Sequence, residues 1–156
     1  MPLGAPLLSA VSLLASALAV ALLGSAPAFP QHLPFRHYTP DDGLPAAQVW
    51  AALQDRRGYL WLGTTGGLAR WDGISIVSFT GRDGLPNQVV RSLWEDGQGN
   101  LWLGTGDGAV LYDGHSFVHF GSAQGLGKGT VWGIGGDRHG TVWVGTSEGG
   151  VSAVAD

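Results

Sequence analysis

Residues 100–114 read NLWLGTGDGAVLYDG: a tryptophan between leucines, glycine-rich punctuation, a second apolar run and an Asp-Gly pair. Nearly the same line stands earlier, YLWLGTTGGLARWDG at 59–73, and returns as TVWVGTSEGG at 141–150. A fixed interval links the copies. Trp61, Trp102 and Trp143 stand 41 residues apart, as do Asp55, Asp96 and Asp137, and Gly58, Gly99 and Gly140. Gly-Leu pairs at Gly43, Gly84 and Gly125 keep the same spacing, and so do Phe35, Ile76 and Phe117, and Tyr38, Phe79 and Phe120. Self-similarity at a period of this size marks a repeat architecture.

Within the middle unit the stretches 88–95, 100–105, 109–112 and 116–120 are β-branched, aromatic or alternating runs separated by turn residues, which predicts four short strands. Asp113-Gly114 reads as a two-residue type I′ hairpin turn, and no helix is expected after residue 28. In the first strand Val49, Val90 and Val131 are followed three positions later by Ala52, Leu93 and Ile134. An odd offset in a strand places side chains on opposite faces, so both faces are expected to be apolar. A four-stranded unit of roughly 40–45 residues, apolar on both sides, is a β-propeller blade; a β-sandwich has no reason to keep a constant period. The expected fold is therefore all-β, an incomplete β-propeller of about three four-stranded blades with repeats near 39–79, 80–120 and 121–156.

Rings of this kind close with about 4–8 blades. The third unit slips register in GGVSAVAD (149–156) and lacks an Asp-Gly turn and a fourth strand, while Phe35 to Tyr38 reads as an orphan fourth strand at the front. The expectation is the front of a longer protein, its ring completed by remaining blades or by other chains.

A chain of 156 residues with net charge −4 fits one domain and argues against a nucleic-acid surface, since its eight basic residues are scattered apart from Arg56-Arg57. With no cysteine there is no disulfide framework and no thiolate chemistry. Leu7 to Leu23 is apolar and Ala26-Pro27-Ala28 fits an A-x-A cleavage pattern, which predicts a signal peptide over 1–28 and a partial propeller over 29–156. An uncleaved membrane anchor and a buried core helix are the rival readings of that segment. The protein is expected to be exported to the periplasm or the extracellular space, meeting a membrane only through its N-terminal segment or through missing C-terminal parts.

The body DGLPNQVVRSLWEDGQGNLWLGTGDGAVLYDGHSFVHF (83–120) resembles the two-component regulator propeller repeat, whose blades recur with D-G-L-P, a strand ending in Asp, D-x-x-G-x-L-W-[IL]-G-T and a closing D-G. The first unit matches as DGLPAAQVWAALQDRRGYLWLGTTGGLARWDG, and the third matches in part, with GLGKGT where proline is expected. This resemblance implies the extracytoplasmic sensor of a membrane-spanning regulator, with histidine kinase or diguanylate cyclase output in the parent protein and saccharides among the ligands. The part in hand is expected to be non-enzymatic.

No active site is legible. GLGKGT (125–130) does not meet G-x-x-x-x-G-K-[ST], and no helix follows to supply phosphate-binding amides. His115 and His119 lie about 13 Å apart on a strand, too far to share a metal, so neither a metal nor a cofactor is expected. Asp55, Asp96 and Asp137 precede Trp61, Trp102 and Trp143 by one turn and are read, with them, as structural repeat residues that bond turn amides. Ligand contacts are sought where the units differ. The second residue of the first strand is Trp50, then Arg91, then Trp132: two indole planes and a guanidinium suited to a sugar or an acid, with inter-blade packing as the alternative. Arg82, Asp83, Asn87 and Lys128 are second-tier candidates in the loops. The expected partner is a small-molecule or saccharide ligand. A secreted propeller enzyme resembling streptogramin lyases and a protein–protein scaffold are the competing functions.

Overall fold

The structure, a computed structural model, describes residues 34–154; the segment read as a signal peptide at 1–28 lies outside them. Strands β1 (Val49–Gln54), β2 (Leu60–Thr64), β3 (Leu68–Trp71) and β4 (Ile76–Phe79) form one antiparallel sheet. Strands β5 (Val90–Glu95), β6 (Leu101–Thr105), β7 (Gly108–Tyr112) and β8 (Phe117–Phe120) form a second. A third sheet holds β9 (Val131–Gly136), β10 (Val142–Thr146) and β11 (Gly150–Val154). Each strand pairs with its neighbour in sequence, and β1 lies beside β5 as β5 lies beside β9. This is the all-β, unclosed propeller that the period predicts.

The middle blade is apolar on both faces. Toward the first blade, Val90, Leu93, Leu101, Leu103, Val110 and Tyr112 pack with Trp61 and Leu68. Toward the third, Trp94, Trp102, Ala109, Leu111 and Phe120 pack with Val131, Val142 and Val144. The assignment of faces differs from simple alternation, however. Val90 and Leu93 share one cluster, and Val131 and Ile134 share the other. The cause is a β-bulge: Val90 opposes Thr105 and Ser92 opposes Gly104, leaving Arg91 without a partner, so an offset of three returns to the same face.

Glycine in the second strand sets the distance between blades. A Cβ on Gly63 would meet Val90 Cγ1 at 2.8 Å, and one on Gly104 would meet Val131 Cγ1 at 2.7 Å. Both valines are fully buried against that bare backbone. Gly145 holds the same place in the third blade, and the only atom within 4 Å of its Cβ position is Gly133 O, at 3.8 Å. The open faces show the same contrast. Trp61 and Trp102 are each 5% exposed, whereas Trp143 of the third blade is 46% exposed.

Three further readings need correction. Residues 34–38 form no strand and Phe35 is exposed, while Tyr38 packs on Trp71, ring centroids 5.8 Å apart. The blade connectors contain one-turn 3-10 helices at Pro40–Asp42, Gly81–Asp83 and Ser122–Gln124. Acceptor side chains close them: Asp42 Oδ2 takes the Thr39 amide at 2.8 Å, Asp83 Oδ2 the Thr80 amide at 2.8 Å, and Gln124 Oε1 the Gly121 amide at 2.9 Å. The Asp113-Gly114 turn is a longer loop between Tyr112 and Phe117, with Gly114 alone at positive φ (97°). Asp113 serves there as an acceptor, its Oδ1 binding the amides of His115 and Ser116 at 2.8 and 2.7 Å, so it has no need of the left-handed conformation that type I′ requires.

The slip in the third unit is a single inserted residue. Trp61 opposes Arg70 and Trp102 opposes Leu111, but Trp143 opposes Ala153, one place beyond register. Between the first two blades Phe79, Tyr112 and Phe117 fill the outer space, with Tyr112 and Phe117 stacked at 4.5 Å. Between the second and third, Ala153 and Val154 leave a cavity of about 290 Å³ beside Trp102 and Phe120.

The inter-blade contact yields a paired test. Gly63→Ala, whose added methyl would meet Val90 of the next blade, should destabilise the full chain by about 1–3 kcal/mol through overpacking, while Gly145→Ala should change stability by less than about 0.5 kcal/mol. Urea denaturation of both variants reads the difference, and equal effects would show that the glycine does not set the blade distance.

Candidate functional site

Trp50, Arg91 and Trp132 all sit at bulges. Val49 opposes Thr64 and Ala51 opposes Gly63; Val131 opposes Thr146 and Gly133 opposes Gly145. Trp50 and Trp132 are thus skipped in their ladders as Arg91 is in its own. A bulge re-aims its side chain out of the sheet's alternation, and three adjacent first strands aim theirs together. The Arg91 guanidinium carbon lies 4.9 Å from the Trp50 ring centroid and 4.5 Å from that of Trp132. The result is an indole–guanidinium–indole stack. Both tryptophans remain accessible, at 43% and 57%.

The stack occupies the end of the first strands where the hairpins dock. Amides of Thr65, Gly106 and Ser147 donate to the carbonyls of Gln48, Val89 and Thr130, each the residue immediately before β1, β5 or β9. Cation–π contact contributes about 0.5–2 kcal/mol depending on desolvation, but it uses the π face of each ring and leaves the guanidinium's in-plane N–H groups without acceptors. Arg91 Nε is buried without a hydrogen bond, and Arg91 forms no ion pair among the described residues.

The second-tier residues are dispersed. Arg82 and Asp83 belong to the 3-10 turn whose next residue, Gly84, faces Phe117 of the outermost strand, 4.0 Å from its Cβ position. Asp83 is engaged as the cap of that turn. Asn87 Oδ1 accepts the Val89 amide at 3.0 Å and so shapes the approach to β5. Lys128 lines a hollow of about 190 Å³ with Asp107 and Gly108. Trp50, Arg91 and Trp132 form the cluster; Arg82 and Asp83 stand apart from it at the blade's outer strand.

At the opposite end of the first strands each repeated Asp organises a turn and an indole together. Asp55 Oδ1 accepts the amides of Arg57 and Tyr59 at 2.9 Å, while its Oδ2 accepts Trp61 Nε1 at 2.8 Å. Asp96 takes Gln98 and Asn100 amides at 2.9 Å and Trp102 Nε1 at 3.2 Å. Asp137 takes His139, Thr141 and Trp143 Nε1 at 2.8, 3.1 and 3.2 Å. Burial pushes the Asp96 carboxyl up, but hydrogen bonds from Asn100, Trp102 and Gln98 outweigh it and hold it below the usual range. The His139 amide, with Trp143 and Thr141, likewise lowers Asp137 against a smaller opposing effect of burial.

One further guanidinium escaped the sequence reading. Arg70 lies over the Tyr59 ring at 4.6 Å and 5.8 Å from Trp61, beside a cavity of about 60 Å³ between the first two blades. Its Nε is also buried and unbonded. Glu95, which shares that cavity, is committed to Arg56: it accepts the Arg56 amide at 3.0 Å and lies 3.9 Å from its Nε. The signal was present, since the position holds Arg70, Leu111 and Ala153 in the three blades. Among the described residues no group of three or more His, Asp or Glu side chains is placed to hold a metal ion.

Residues 43–66 and 84–107 match the family model for the two component regulator propeller. No curated protein sequence matches the chain. Among solved structures, the extracellular domain assigned to the hybrid two component system BT3049 from B. thetaiotaomicron aligns with a TM-score of 0.68 at 25% identity, covering 76% of this chain and 17% of that one. An extracellular domain assigned to the one component system BT4673 from the same organism aligns at 0.41 and 20% identity, over 75% of this chain and 22% of that one. The chain thus spans about a fifth of the length of these structures. Two of its repeats match the two component regulator propeller model, and its fold resembles part of an extracellular domain of a hybrid two component system.

Asp96→Asn tests the turn. The amide would turn an NH2 group toward donors it cannot bind, either Trp102 Nε1 or the turn amides, and destabilisation of about 1 kcal/mol at pH 7 is expected after allowance for solvent screening. Because the folded carboxyl is depressed, its stabilisation is complete above the ordinary value of 3.8 and disappears as pH falls through the lower folded value. The gap between wild type and variant should therefore narrow in thermal melts below pH 3.8; a gap independent of pH would refute the assignment.

Proposed function

We propose that this chain is part of an exported ligand-binding sensor propeller of a two-component or related signalling protein, and that it performs no catalysis itself. The carrying observation is the stack of Trp50, Arg91 and Trp132, built from three equivalent bulges of a repeating scaffold. The two component regulator propeller repeats and the likeness to an extracellular domain of a hybrid two component system support the signalling role and the location outside the cytoplasm. Exposed aromatic faces beside a guanidinium suit a small polar ligand such as a saccharide. The exposed Trp143 and the open outer edge of the third sheet support completion of the ring by further blades or by other chains. In the parent protein the output is a histidine kinase or a diguanylate cyclase.

Thermal melts of the full chain against a panel of mono- and oligosaccharides test this reading. A ligand at a hundred times its Kd stabilises by about 2.7 kcal/mol, a shift of several degrees for a domain of this size. The shift should vanish in Trp50→Ala and Trp132→Ala. A ligand-induced shift that survives both substitutions, or chemical conversion of the ligand, would overturn the proposal.

A further inference from the structure

We infer that the axial stack receives a carboxylate through the in-plane N–H groups of Arg91, so that the ligand is an acid, with uronic acids as its saccharide members. This rests on the stack being the ligand site. Trp50 and Trp132 lie on either side of the guanidinium carbon, at 4.9 and 4.5 Å. A sugar ring therefore cannot stack on Arg91, nor on the inner face of either indole. Only the outer indole faces and the edge of the guanidinium remain.

That edge is chemically specific. A guanidinium carries five N–H donors in a fixed planar fork and accepts nothing. Arg91 Nε is buried and unbonded, so the fork accessible to a ligand is the pair of Nη groups, and no described hydrogen bond or ion pair engages them. Cation–π contact leaves this demand unmet, because the rings offer no lone pair to an in-plane N–H. Two indoles also exclude water from both faces, which strengthens an electrostatic contact made at the edge. A planar carboxylate matches the fork bidentately, and charge-assisted bonds of this kind are about twice as strong as neutral ones. A hydroxyl supplies one acceptor and no charge.

Among the described residues no carboxylate engages Arg91. Asp55, Asp96 and Asp137 stand at the far ends of the first strands and hold turns and indoles. Glu95 engages Arg56. Asp107 and Glu148 lie in the hairpins at the stack's own end, and neither pairs with Arg91. The stack is a charged socket left open to an incoming oxyanion.

The test titrates the full chain with D-galacturonate, D-galactose and acetate, following indole N–H and Arg Nε–H resonances by NMR. Galacturonate should shift the Trp50, Trp132 and Arg91 signals saturably and bind at least tenfold more tightly than galactose. Acetate should move the Arg91 Nε–H signal and separate the carboxylate from the sugar ring. Arg91→Gln should cost tenfold or more in galacturonate affinity, and Arg91→Lys, which keeps the charge without the fork, should also bind more weakly than wild type. Equal binding of the two sugars, or undiminished binding by Arg91→Gln, would overturn the carboxylate assignment and leave the stack as a ligand site. Silence of Trp50 and Trp132 toward every probe, galactose included, would overturn both.

Discussion

Adjacent blades approach only as closely as the fourth residue of each second strand permits. Gly63 and Gly104 present bare backbone, and Val90 and Val131 of the following blade close upon it. A methyl group there would lie within 2.8 Å of the valine side chain. In an interior packed as densely as a molecular crystal, that contact cannot be relaxed without moving a whole sheet. It fixes the separation of β1, β5 and β9, and therefore the separation of the three bulges. Arg91 falls between two indoles because blade spacing and bulge position agree. Core packing and the candidate site are consequences of one steric condition.

The aspartates act within a blade, where the glycines act between blades. Each Asp carboxylate holds the amides of its own turn and the indole two residues into the next strand, all within six residues. The indole is thereby oriented before any neighbour is present. In the first two blades it then enters an inter-blade cluster, Trp61 meeting Tyr112 of the second blade edge-on at 5.8 Å and Trp102 packing with Val131, Val142 and Val144 of the third. Local hydrogen bonds preset each unit, and stacking of units buries what they preset, the nearest-neighbour energetics of a repeat protein. Trp143 keeps its bond to Asp137 and yet remains exposed, which separates the two contributions.

The sequence made the architecture legible through its period, and the strand boundaries of the middle blade through apolar alternation and turn residues. Where it misled, a local backbone event had broken the rule applied. Alternation assigned Val90 and Leu93 to opposite faces, and an unpaired Arg91 returned them to one. Asp113-Gly114 matched a two-residue hairpin, but the Asp side chain found amide donors and stabilised a longer loop. The 3-10 turns were hidden because three residues are too few for any periodic signal, although Thr39 with Asp42 and Thr80 with Asp83 had the spacing of a cap. Arg70 carries the same signal as Arg91, a position that differs between blades (Arg70, Leu111 and Ala153), but on the third strand instead of the first.

A side chain at a bulge makes no ladder pair, and Trp50, Arg91 and Trp132 belong to neither core cluster. The bulge position is therefore the point in each blade where residue type changes at little structural cost. Glycine at 63 and 104, valine at 90 and 131, and aspartate at 55, 96 and 137 have no such latitude, because each meets a fixed partner. In a repeat scaffold the chemistry of recognition is thus confined to sites where the backbone has already stepped out of register. The Arg91 guanidinium, held between two rings with no hydrogen bond or ion pair among the described residues, occupies such a position.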